Sequence, residues 1–101
     1  MTPAENFNRL QEIIAGYRQG MIDMQQQLVR RVAVGPDNQG PGEAAKAAYL
    51  AAELRRLGLR VQNYPAPDDR VPGGQRPNLI ALLPGRTARK VWVLSHLDVV
   101  P

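Results

Sequence analysis

The residues best suited to chemistry stand near the end of the sequence. His96 is the chain's one histidine, and Asp98 follows two positions later. They close an apolar run, Val91, Trp92, Val93 and Leu94. An imidazole at the carboxyl end of a strand stands where open α/β sheets bind ligands. A metal-bound imidazole usually donates its other ring N–H to a carboxylate, which fixes the tautomer and raises the basicity of the ligating nitrogen. Asp98 is near enough to be that carboxylate if the backbone bends after His96. The spacing leaves a second reading open, since His-x-Asp is a short pattern and a lone histidine is more often structural than catalytic. No competing chemistry is visible: there is no cysteine, no GxSxG elbow and no glycine-rich phosphate loop. The acids Asp37, Glu43, Glu53, Asp68 and Asp69 stand in no metal-ligand motif and carry no assignment.

The elements that must position this pair are readable from periodicity. Residues 3 to about 32 predict one long helix, with Thr2 as N-cap, Pro3 in the first turn and Glu5 near the positive helix end. Its apolar stripe is Phe7, Leu10, Ile14, Tyr17, Met21, Met24 and Leu28, in steps of three and four. The same steps form a short heptad pattern, but packing onto a sheet is the favoured fate. Residues 34–42, VGPDNQGPG, predict a loop, read as a plain connection in preference to a ligand-binding one. Residues 42–57 predict a second helix, alanine-rich, burying Ala47, Leu50, Ala51, Leu54 and Leu57, with Gly58 closing it.

Residues 59–64 predict a half-exposed strand that pairs antiparallel with a strand over 78–83. PAPDDRVPGGQRP, between them, predicts a surface loop without a ladder. Residues 90–95 predict a third strand, buried on both faces because its apolar run is continuous. The expected fold class is α/β, with two N-terminal helices packed on a partial three-strand sheet. No internal repeat and no domain boundary is expected.

Composition narrows the function classes. At 101 residues with 44% hydrophobic residues, the chain suits one small globular unit. The net charge is +4, yet the arginines are scattered from Arg9 to Arg89 with no interleaved aromatic series, so no nucleic-acid partner is expected. The start, MTPAENFNRL, lacks the basic and apolar regions of a leader. No run approaches the ~20 apolar residues of a membrane span. The expected setting is cytoplasmic, with no membrane partner.

The stretch SHLDVVP after an apolar strand resembles the zinc-dependent aminoacylase/carboxypeptidase family, which includes acetylornithine deacetylase, succinyl-diaminopimelate desuccinylase and glutamate carboxypeptidase. The resemblance runs back through RPNLIALLPG to VGPDNQGPGEAAKAAYLAAELRRLGL and covers most of the chain beyond about residue 20; VPGGQRPN is similar to one branch. It implies that His96 ligates one zinc and that the catalytic-site residue Asp98 orients it. It implies two zinc ions in the complete site, a glutamate general base, and a small peptide or N-acyl amino acid as substrate. The remaining ligands would follow Pro101, so the sequence is expected to be the opening part of a mixed-sheet zinc-hydrolase catalytic domain. A lid domain, through which such proteins can form homodimers, would also lie outside it. The alternative is a non-catalytic interaction module that uses the helical stripe.

Overall fold

The computed structural model describes all 101 residues. The chain is a mixed α/β protein that divides into two compact units, Met1–Arg30 and Arg31–Pro101.

The first unit is helical. Helix α1 (Pro3–Gly16) starts on a full capping box: the Glu5 N–H donates to Thr2 Oγ1 at 3.1 Å, and the Thr2 N–H donates to Glu5 Oε2 at 2.6 Å. The single long helix expected over 3–32 is instead two. Tyr17, at φ −89° and ψ 0°, interrupts it, and α2 runs from Arg18 to Val29. Gly16 explains the weak point, since glycine lowers helix stability by about 1 kcal/mol relative to alanine. The Tyr17 N–H turns back to the Ile14 carbonyl, and α2 resumes at once with Met21 N–H to Tyr17 O. The apolar stripe, expected to be buried, lies at the surface of these helices. Phe7, Leu10, Ile14, Tyr17 and Met21 are all exposed, and neither helix buries a residue.

The second unit carries the sheet. Helix α3 (Ala44–Arg56) buries Ala47 and Ala51, while Leu57, expected on the same stripe, is exposed. Leu57 is the C-cap, where the chain already leaves the helix. Gly58 adopts φ +84°, its N–H reaching Arg55 O and the Leu59 N–H reaching Leu54 O. That is a Schellman stop, and glycine serves it without strain. Midway along α3, Arg31 stacks on the Tyr49 ring, 3.9 Å from its centroid.

Strands β1 (Arg60–Asn63) and β4 (Leu79–Leu82) pair antiparallel as expected, with Val61 opposite Ala81 and Gln62 opposite Ile80. Asn78 closes the pair, donating its side-chain amide to Tyr64 O and its N–H to Asn63 Oδ1. Helix α3 lies against both strands.

Two expectations are corrected. The segment between β1 and β4 does hold a ladder: β2 (Ala66–Pro67) pairs antiparallel with β3 (Gln75–Arg76). Two residues a side suffice here because the turn is tied across its mouth, Asp68 N–H to Gly74 O. The third strand over 90–95 does not form. Val91 is 92% exposed and Leu94 is 85% exposed. A continuous apolar run states what a strand needs on both faces, and no strand of these residues lies beside it. The sheet is therefore two two-stranded pieces and not one of three. Behind that run the chain is caught again, by a single parallel bridge between Val99 and Val34. The core is made of small residues, Ala33, Ala47, Ala51 and Val71. No helix is long and apolar enough to cross a membrane.

Candidate functional site

His96 and Asp98 meet. Ring Nδ1 of His96 lies 2.8 Å from the Asp98 backbone carbonyl oxygen and 3.2 Å from its carboxylate Oδ1. With the proton on Nδ1 the ring donates to this residue, and the lone pair stands on Nε2. The His96 side chain is 84% exposed, and its ring contacts are made by Nδ1. The backbone carbonyl makes the shorter contact, a detail that the two-residue spacing did not reveal.

The Asp98 carboxylate turns its other oxygen, Oδ2, toward Arg76 Nη2 at 3.7 Å. Arg76 comes from β3, and it is held by Glu43 in a fork, Nε to Oε1 at 3.1 Å and Nη2 to Oε2 at 3.2 Å. Glu43 is only 5% exposed. It precedes α3 at the positive helix end, a favourable place for a carboxylate. The fork is the main reason the Arg76 guanidinium holds its proton more tightly than usual, although partial burial works against it.

Behind Arg76 the charges continue. Its Nη1 lies 3.8 Å from Asp68 Oδ2, and Arg70 joins Asp68 at 2.9 Å to Asp37 at 2.7 Å. Alternating charge thus runs from the 34–42 loop through the β2–β3 hairpin to Asp98. Side-chain hydrogen bonds from Arg70, followed by its backbone N–H, lower the Asp68 carboxyl from 3.8 to about 2. A carboxyl lowered by folding stabilises the fold above its ordinary range, and that contribution is lost as pH falls through the folded value. The stability gap between wild type and Asp68→Asn should therefore narrow as pH drops from about 4 to about 2. Urea midpoints at several pH values measure it, and a gap independent of pH would contradict it.

The loop expected to be a plain connection lines the site. Gly35, Asp37, Arg76, His96, Asp98 and Val99 border one cleft of about 380 Å³. The corner itself is pinned from three sides. Lys46 Nζ donates to the Leu97 carbonyl at 3.1 Å, Arg76 faces the Asp98 carboxylate, and the Val99 N–H donates to Ala33 O at 2.9 Å. Lys46 and Arg76 were not singled out by sequence reasoning, Glu43 was left without a role, and the ligand-binding alternative for the loop was the less favoured one. One usable signal was present, an acid placed at a helix start directly after a Gly-Pro loop.

As a donor set this fits one ligand of a metal and not a whole metal site. The imidazole is free at Nε2 and backed at Nδ1, the arrangement of a ligating histidine. No group of three or more histidine, cysteine, aspartate or glutamate side chains gathers anywhere in the chain, and a zinc site takes about three protein ligands.

No family model matches the chain, and no solved structure matches it. Among curated proteins it is similar to an uncharacterized metallohydrolase of Methanocaldococcus jannaschii, 28% identical over 85 residues. That alignment takes in 79% of this chain and 21% of the relative, so the chain spans about a fifth of the protein it matches. The likeness is to a protein named for metal-dependent hydrolysis, and it supports a hydrolase reading of that general kind.

Proposed function

We propose that this chain is the opening part of a zinc-dependent amidohydrolase or metallopeptidase, with His96 as a metal ligand and Asp98 as the residue that orients it. The observation that supports the reading best is the ring contact, Nδ1 to Asp98 O at 2.8 Å, which leaves the lone pair to Nε2 on a largely exposed ring beside the cleft. The relative named a metallohydrolase supports the coarser part. The substrate class proposed is a small peptide or an N-acyl amino acid, and the working form a homodimer through a lid domain. Zinc, when bound, activates water and polarises the amide carbonyl. The part played by these 101 residues is to hold one imidazole at a fixed place with its basic nitrogen outward.

A second reading, an interaction module that binds a partner helix, is favoured by one observation: the stripe from Phe7 to Met21 is exposed along its length. One preparation separates the two. The gene product extended past Pro101 in the reading frame should contain about two zinc ions per chain, by analogy with two-metal sites. It should hydrolyse dipeptides or N-acyl amino acids and lose activity to a chelator. The 101-residue chain alone should bind zinc weakly and hydrolyse nothing, because a single histidine cannot close a zinc site. An extended protein free of metal that sediments as a dimer broken by Leu10→Asp would sink the hydrolase reading and leave the module.

A further inference from the structure

We propose that Lys46 and Arg76 are positioning residues that hold the His96–Asp98 corner in one conformation before any ligand arrives, and so decide which ring nitrogen His96 presents.

The corner needs such help. His96 and Asp98 have side chains 84% and 47% exposed, and the run before them, Val91 to Leu94, belongs to no strand. An imidazole on a free segment would sample several rotamers and both tautomers. Here three successive residues are tied to three separate parts of the second unit. Lys46 of α3 takes the Leu97 carbonyl, Arg76 of β3 faces the Asp98 carboxylate, and Ala33 takes the Val99 N–H. His96 is the next residue back, and its ring closes on the Asp98 carbonyl oxygen that these ties set in place.

Lys46 is a poor choice for its location on any other ground. It is 9% exposed, and removing an ammonium from water is unfavourable unless the ion is paired or hydrogen-bonded. It is the third residue of α3, near the positive helix end, where a cation is again disfavoured. An apolar side chain would fill the same space without either penalty. What the ammonium adds is the hydrogen bond to Leu97, the residue between the two members of the pair. Arg76 is likewise more than a partner for Glu43. Its fork holds Glu43 while its Nη2 also faces Asp98, so the guanidinium links the buried start of α3 to the exposed corner.

The sole histidine makes the test direct. Ring ¹⁵N shifts of His96 in the 101-residue chain, at mildly alkaline pH, report the tautomer without metal or substrate. Wild type is expected to hold the proton mainly on Nδ1. Lys46→Met should move the ring to the tautomer mixture of free histidine while the amide signals of β1 and β4 stay in place. Lys46→Arg, which restores a donor, should bring the wild-type tautomer back. A wild-type ring already at the free-histidine mixture would overturn the proposal with no variant needed. So would a Lys46→Met chain that keeps the wild-type tautomer. Should Lys46→Met fail to fold, Arg76→Gln carries the same test: drift toward the free mixture supports the proposal, and an unchanged ring overturns it. The proposal rests on the metallohydrolase reading only for its purpose. Failure of the tautomer test removes the positioning roles and leaves the ligand reading to metal analysis. A metal-free extended protein removes the ligand reading and leaves the tautomer result standing.

Discussion

In the extended protein, His96→Ala is expected to reduce hydrolysis to background and to remove one of the bound metals. Without the imidazole nothing in the cleft of Gly35, Asp37 and Arg76 replaces it, since no other histidine exists in the chain and its nearby acids form no group able to hold a metal. Asp98→Asn should be far milder. The ring's shorter contact is to the Asp98 backbone carbonyl, which the substitution leaves in place. What is lost is the negative charge 3.2 Å from Nδ1. Partners of ligating histidines typically contribute ~10–100-fold in metal affinity or activity, and the surviving carbonyl places Asp98→Asn toward the lower end. Metal content and turnover measured in parallel check both variants. A His96→Ala protein with full metal and full rate would end the ligand reading. An Asp98→Asn protein unchanged in both would make Asp98 a turn residue.

Gly40→Ala is expected to be the most damaging small substitution in the chain. A Cβ at Gly40 would clash with the carbonyl of Val34, which is backbone and cannot swing aside. The same carbonyl accepts from the Gly42 N–H, and the Gly40 N–H itself closes on Gly35 O. The loop would have to open, and with it the Val34 bridge to Val99 that backs the corner. Overpacking generally costs ~1–3 kcal/mol, and a clash with main chain belongs at the top of that range or beyond it. Urea unfolding would show the lowered midpoint; a midpoint equal to wild type would contradict the tightness of this loop.

The antiparallel pair and the His96–Asp98 contact were legible because each is local. Residues 59–64 alternate in the right period, 78–83 are a short apolar run, both are bounded by proline or glycine, and a pair two residues apart needs only a bend to meet. The capping box at Thr2 and the stop at Gly58 were legible for the same reason, as caps are written within one helical turn. The strand expected at 90–95 failed on a different point. Its composition records a demand for neighbours on both faces, and composition does not reveal whether the neighbours stand beside it. The role of Arg76 was hidden because its partner Glu43 lies 33 positions away, and that of Lys46 because Leu97 lies 51 positions away. The loop at 34–42 has the composition of any connection, and only its fold-back onto Val99 makes it a wall of the cleft.

The separation between Lys46 and Leu97 bears on the order in which the molecule assembles. The helices, the Gly58 stop and the β2–β3 hairpin close over short stretches of chain. The corner closes only when residues 97 to 99 find Ala33, Val34 and Lys46 across most of the second unit. Longer loops lose more entropy on closure, and contacts of large separation form slowly. The corner proposed to hold the metal ligand is thus expected to arrive late during folding and, within the second unit, to leave early in a native fluctuation. Hydrogen exchange should then find the Val99 amide less protected than the amides that bond between β1 and β4, although it too is hydrogen-bonded.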